Sequence, residues 1–282
     1  MGNLKGFSFL ALVLTLMFCS TINADAQRRY DIKYQEVGGW IGAANYYGDL
    51  NTLFGFKGVR PAFGGYFRQT FTPYISLKVG ASYGMIEFKD AYTNLPWQQV
   101  RNLSFRNNIL EFSGSIEFNF LKYIPKDRNY PFSPYLSLGV AIFKHNPKAK
   151  YDGQWYKLKD IGTEGQLLSD ITGVKEYKTV QPAFPIGMGI KYWMKGKWTF
   201  NLEVGYRFTF TDYLDDVHGV FINNNLLAAD EVASNLADPS QQILVDPLSQ
   251  PAGTQRGDSI SNDSYLFIGI GVSYAIFKVR CP

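Results

Sequence analysis

Residues 198–211 read WTFNLEVGYRFTFT, and the alternation in this stretch decides the fold class. One parity holds Trp198, Phe200, Leu202, Val204, Tyr206, Phe208 and Phe210, and the other holds Thr199, Asn201, Glu203, Gly205, Arg207, Thr209 and Thr211. A β-strand turns successive side chains to opposite faces, so this pattern is a strand with one greasy and one polar face. It is long enough to cross a bilayer at a tilt, which takes about 9 to 11 residues. Residues 109–120, ILEFSGSIEFNF, repeat the pattern with Leu110, Phe112, Ile116, Phe118 and Phe120 opposed to Glu111, Ser113, Ser115, Glu117 and Asn119.

The same period recurs in Tyr265 to Phe277, Ile75 to Glu87, Tyr135 to His145, Ala183 to Trp193, Pro61 to Gln69 and the Gly- and Ala-rich Glu36 to Tyr46. That makes about eight strands, an even number as a single-chain barrel requires. Connections alternate short and long: Phe71 to Tyr74, Met194 to Lys197 and Leu121 to Pro134 against Tyr47 to Arg60, Lys89 to Leu103, Asn146 to Gln181 and Asp212 to Asp263. The expected fold is therefore all-β, a transmembrane antiparallel up-and-down β-barrel with long extracellular loops. A short helix is expected over Ala228 to Leu236, stopped by Pro239. Short turns in such barrels face the periplasm, which puts both termini there.

Composition agrees with membrane residence by strands. Aromatic residues are 16% and charged residues only 18%, against about 25% charged in an average soluble domain. In a soluble sandwich the polar parity would meet bulk water and carry long charged side chains. Here it carries Gly, Ser, Ala and Thr with isolated charges, which suits a narrow lumen. Trp40, Tyr74, Tyr123, Trp193, Trp198 and Tyr274, near strand ends, are expected to form interfacial girdles.

Residues 1–26 read as a cleaved signal peptide: Lys5, the apolar run Phe7 to Phe18, and Ala24-Asp25-Ala26 as the cleavage signal. The barrel domain is then 27–282, exported to an outer membrane and bathed in its lipids. Cleavage removes Cys19 and leaves Cys281 alone, so no internal disulfide is expected.

The inward parity collects Arg68, Lys78, Glu111, Glu117, Lys191, Glu203 and Arg207. An eight-strand barrel is only wide enough to be filled by its side chains, so these charges are expected to pair as a polar core and not to line a pore. At the periplasmic end lie Lys122, Lys126, Arg128, Lys195 and Lys197, joined by Arg28, Arg29, Lys33, Lys278 and Arg280, against Asp31 and Asp127. This basic rim is the expected partner-binding surface. The last loop is the reverse, with Asp212, Asp215, Asp216, Asp230, Glu231, Asp238, Asp246, Asp258 and Asp263 facing Arg256.

Catalytic constellations are missing. The two histidines, His145 and His218, have no accompanying nucleophile motif, so no enzyme is expected. No zinc spacing, phosphate loop or basic helix suggests a cofactor, catalytic metal or nucleic-acid partner. Asp212, Asp215 and Asp216 with Asp49 offer oxygen ligands of the kind calcium takes, but their spacing matches no calcium loop, and backbone capping is the preferred reading.

Four stretches, Glu36-Val-Gly-Gly-Trp40, Asn45-Tyr-Tyr-Gly-Asp-Leu-Asn51, Arg60-Pro-Ala-Phe-Gly-Gly65 and Thr211-Asp-Tyr-Leu-Asp-Asp-Val217, together resemble the PorG-like outer-membrane barrel family of Bacteroidota, linked to type IX secretion. The resemblance implies a barrel seated over periplasmic ring components, a lipoprotein and its partner, with no catalytic residues. Departure from that family is expected in the insertion Asn223 to Asp263. The expected function is a docking component of a protein secretion apparatus. The alternative is a surface-ligand binder or adhesin using the long loops.

Overall fold

The computed structural model describes residues 33–53, 55–242 and 250–277. The signal peptide 1–26, Arg28, Arg29, Asp31, Asp246, Lys278, Arg280 and Cys281 lie outside the described residues.

Eight long strands make the wall: β1 (Tyr34–Tyr47), β2 (Arg60–Thr70), β3 (Ile75–Lys89), β4 (Ser104–Asn119), β5 (Phe132–Lys144), and, after the small hairpin β6 (Lys148–Tyr151) and β7 (Gln154–Lys157), β8 (Val180–Lys195), β9 (Trp198–Thr209) and β10 (Ser264–Phe277). Each wall strand pairs antiparallel with its neighbours, and β1 closes against β10 from Tyr34↔Phe277 to Tyr47↔Ser264. The wall is thus a closed up-and-down barrel without a free edge, so its backbone groups pair inside the wall as a bilayer demands.

Alternation sorts the side chains. Outward positions are apolar and exposed, among them Ile41, Phe63, Phe112, Val140, Met188 and Ile270. Inward positions such as Glu36, Arg68, Glu111, Glu117, Lys191 and Ser273 are buried. A soluble protein does not leave so many large apolar side chains open, whereas a lipid-facing wall must. Among the described residues no helix is long and apolar enough to cross a membrane.

The strand ends run somewhat beyond their sequence limits: β4 begins at Ser104, five residues before Ile109, because the chain continues above the belt to pair with the end of β3. Two girdle assignments are corrected. Trp40 shares the inward parity of Glu36 and packs on Phe267 inside the barrel, ring centroids 5.6 Å apart. Tyr123 is fully buried where the connection between β4 and β5 folds under the short-turn end. Parity, and not proximity to a strand end, fixes where a ring points.

The long loops are not open coil. The helix expected over Ala228 to Leu236 forms at Glu231–Ala237, with the Asp230 carboxylate accepting from the amides of Val232 and Ala233. The β6–β7 hairpin, which alternation over four residues is too short to reveal, pairs onto β4 through Lys148↔Arg106.

Candidate functional site

All seven charged residues of the inward parity lie in the lumen, and they form two groups. Glu117 on β4 is the hub of the group nearer the short turns. Its carboxylate stands 2.7 Å from Arg68 Nε, 2.6 Å from Lys191 Nζ and 3.3 Å from Lys78 Nζ. Arg68 reaches Glu36 at 2.7 Å, and Lys78 reaches Glu203, which also accepts from the Tyr135 hydroxyl at 2.6 Å. Nearer the long loops, Arg207 pairs with Glu111 at 3.1 Å and the Tyr265 hydroxyl donates to Glu111 at 2.8 Å.

Four acids, Glu36, Glu111, Glu117 and Glu203, meet four bases, Arg68, Lys78, Lys191 and Arg207, so these lumen charges balance. Buried charges are tolerated only in such mutual company. The void left among them, beside Trp40, Tyr66 and Phe267, is about 60 Å³, room for a few waters and not for a conducting path. Sequence reasoning missed Glu36, Tyr135 and Tyr265. Glu36 shares the inward parity of Trp40, but the Gly- and Ala-rich stretch around it blurs the alternation.

At the short-turn end the lumen is stoppered by Tyr123, whose hydroxyl shares a hydrogen bond of 2.7 Å with that of Thr199. Outside this stopper the predicted rim residues stand together. Lys122 lies over the ring of Tyr130 at 4.4 Å, Lys126 over Phe277 at 4.5 Å and Lys197 over Tyr274 at 5.3 Å. Arg128, Lys195 and Lys33 are exposed beside them. Asp127, the carboxylate nearest these, is turned to the amide of Asn129.

At the long-loop end the expected capping of backbone holds for Asp49 and Asp215, which accept from the amides of Asp258 and Val217, while Asp212 and Asp216 meet side chains. Asp212, Asp215, Asp216, Asp238 and Asp263 are buried, because residues 212–242 and 250–263 fold back over the barrel mouth. Tyr46, Leu214 and Val217 join the apolar core cluster there with Phe105 and Phe143. Arg256 pairs with Glu164 at 2.8 Å, Arg101 grips Asp90 at 2.7 and 2.8 Å, and Asp212 meets His218 Nδ1 at 2.6 Å. The Tyr177 hydroxyl donates to Asp216 at 2.7 Å.

Acids outnumber bases in this cap, and the carboxyls respond as buried neighbours must. Loss of solvent, then the nearby carboxylates, push Asp212 up to about 10. Burial raises Asp49 to about 7, although the Asp258 amide and Arg101 resist it. Burial likewise raises Asp216 to about 7 against the pull of Arg256. Asp215 and Asp263 are also pushed up, by burial first and by neighbouring carboxylates second. Burial lowers His145 to about 4, so its ring is neutral and packs as structure. Among the described residues no group of three His, Cys, Asp or Glu side chains is arranged to hold a metal ion.

A family model described as "Domain of unknown function (DUF6089)" matches residues 9–231. The chain belongs to the DUF6089 family. No curated protein matches it in sequence. Solved structures similar to this DUF6089 member include Neisserial surface protein A (NspA), 8% identical with a TM-score of 0.41, covering 85% of this chain and 96% of that one. The attachment invasion locus protein Ail of Yersinia pestis is 9% identical with a TM-score of 0.39, over 86% of this chain and 99% of that one. The outer membrane protein OprG of Pseudomonas aeruginosa is 12% identical with a TM-score of 0.38, over 87% and 96%.

Within the DUF6089 match lie seven of the wall strands, β1 to β5, β8 and β9, and all seven predicted lumen charges. The chemistry this DUF6089 barrel presents is that of surfaces: an electroneutral plug, a cationic rim at one end and a closed, acid-rich cap at the other.

Proposed function

We propose that this protein is a non-enzymatic barrel of an outer membrane that serves as a docking component of a protein secretion apparatus, of the type IX kind, through its periplasmic face. The short-turn end, with both termini, then faces the periplasm, as short turns do in such barrels. The observation that carries the reading is the set of cations Lys122, Lys126, Arg128, Lys195 and Lys197 at this end, of which Lys126, Arg128 and Lys195 are exposed and Lys122 and Lys197 half-buried, with three of the ammonium groups held over aromatic rings. Ordered cations at a rim lose little freedom on binding, and a field of one sign steers an acidic partner to it. The plugged lumen supports a scaffold in preference to a channel. The partners proposed are the periplasmic ring components, a lipoprotein and its companion.

Reversal of Lys122, Lys126, Arg128, Lys195 and Lys197 to Glu tests the reading. The reversed barrel is expected to fold and insert but to lose the ring components on co-purification, and secretion is expected to fall. Retention of those components at moderate salt would overturn the docking role of the rim.

A further inference from the structure

Cations also gather at the opposite end of the wall, around the ends of β2 to β6. Lys57, Arg60, Lys89, Arg106, Lys144 and Lys148 belong to the long-loop ends of β2 to β6 or to the loop that precedes β2. The corresponding ends of β8, β9, β10 and β1 carry uncharged residues such as Val180, Phe208, Ser264 and Tyr47.

The arc has a fixed centre. Glu87 faces Arg106 across the β3–β4 ladder, is 2% exposed, and binds Arg106 at 2.7 Å and Arg60 on its other side. Arg106 also lies flat on Trp155, 4.4 Å from the ring, with Lys148 opposite it in the β4–β6 ladder. The two arginine side chains keep about a third of their surface open, 32% for Arg60 and 36% for Arg106. Lys57 and Lys89 flank the pair, at the carbonyl and over the ring of Tyr92. Lys144 is exposed on β5 beside Leu110. Glu87 is the carboxylate among these six cations, so the arc keeps a surplus of positive charge.

Its height on the wall says what it meets. On the same outward face Met85 lies below Glu87 and Ile142 below Lys144, while below Arg106 the exposed Asn108 comes first and Leu110 after it, with Leu110 and Ile142 widely exposed. The cations therefore stand just beyond the apolar belt, at the height where acyl chains give way to headgroups. Guanidinium forks held by a buried carboxylate and a ring suit phosphate oxygens.

We propose that this arc binds the phosphate groups of an anionic lipid in the leaflet on the long-loop side. The inference rests on the membrane placement proposed above. Each cation near a membrane surface adds to the attraction for anionic headgroups, so several acting together give a selective lipid site.

The test uses the full chain in phosphatidylcholine nanodiscs, with diphosphorylated lipid A as probe and native mass spectrometry as the readout of bound lipid. Lipid A is expected to bind at least about tenfold more tightly than its dephosphorylated form. Lys89→Gln/Lys144→Gln/Lys148→Gln, which leaves the Glu87 pairs intact, is expected to remove most of that preference. Arg60→Gln/Glu87→Gln/Arg106→Gln, which strands no buried charge, is expected to remove it too. Equal binding of the dephosphorylated lipid, or an unchanged preference in both triple variants, would overturn the inference and leave the membrane reading standing. Displacement of lipid A by millimolar inorganic phosphate would show a soluble anion to be the ligand and overturn the lipid assignment. Failure of the unmodified chain to enter nanodiscs would overturn both readings.

Discussion

The Tyr46 hydroxyl lies 2.5 Å from a carboxylate oxygen of Asp215. The same hydroxyl lies 2.9 Å from Asp263. A phenol has one proton to give, and both acids are buried, so one of the two contacts needs a proton held by a carboxyl. The cap over the barrel mouth is in this respect assembled with protons as part of its structure.

Stability of the cap should therefore depend on pH in a stated direction. Carboxyls whose folded values are raised stabilise fully below their unfolded value, near 3.8, and lose that contribution as pH climbs through the folded values, about 7 for Asp49 and Asp216 and about 10 for Asp212. Protease resistance of the 212–263 segment in detergent is expected to fall between about pH 5 and about pH 9. Asp212→Asn, neutral at every pH, is expected to flatten that fall. Cleavage independent of pH would contradict the reading.

Tyr46→Phe removes the shared donor and leaves Asp215 and Asp263 facing each other. A buried polar group deprived of its partner costs about 1 to 3 kcal/mol. The variant is expected to open the cap while the wall stays closed, seen as faster cleavage within 212–263 and unchanged heat-modifiable migration on a gel.

In the lumen, the size of the effect should follow the number of partners. Glu117→Leu strands Lys191, 1% exposed, and leaves Arg68 with Glu36 as its remaining carboxylate; it is expected to lower the melting temperature strongly, since an unpaired buried charge costs about 3 to 5 kcal/mol. Glu203→Leu should cost less, because Glu203 is 28% exposed and its partner Lys78 keeps Glu117. Arg207→Leu should fall between them, leaving Glu111 with Tyr265 alone of its two partners. None of the three is expected to open a steady conductance in planar bilayers. Equal melting of Glu117→Leu and the unmodified protein would refute the hub.

A closed wall resists detergent until heated, because no edge offers a place to begin unpairing. Unboiled and boiled samples are expected to migrate differently on a gel. Identical migration, with the protein in a soluble fraction, would be incompatible with a membrane barrel.

The wall was legible because period-2 alternation survives in single segments: Trp198 to Phe208 and Leu110 to Phe118 declare both their faces without help from neighbours. The lumen charges followed by parity alone. Local pattern failed where contacts are long-range. The burial of Asp212, Asp215 and Asp263 could not be read from the last loop itself, because it is made by Tyr46 and by core residues scattered over several elements. The β6–β7 hairpin and the cation arc have the same cause, since Arg60, Glu87, Arg106 and Lys148 come together only through strand register. Trp40 and Tyr123 were misplaced because a ring near a strand end suits a girdle as well as a plug.

The seam between β1 and β10 joins the first described strand to the last, along their full length from Tyr34↔Phe277 to Tyr47↔Ser264. A chain delivered from its amino end cannot make this seam until its final residues arrive, and long-range pairing of this kind forms slowly. Until then every intermediate is a sheet with two sticky margins and a greasy outer face. Loss of even part of β10 should convert the product from a membrane protein into an aggregate.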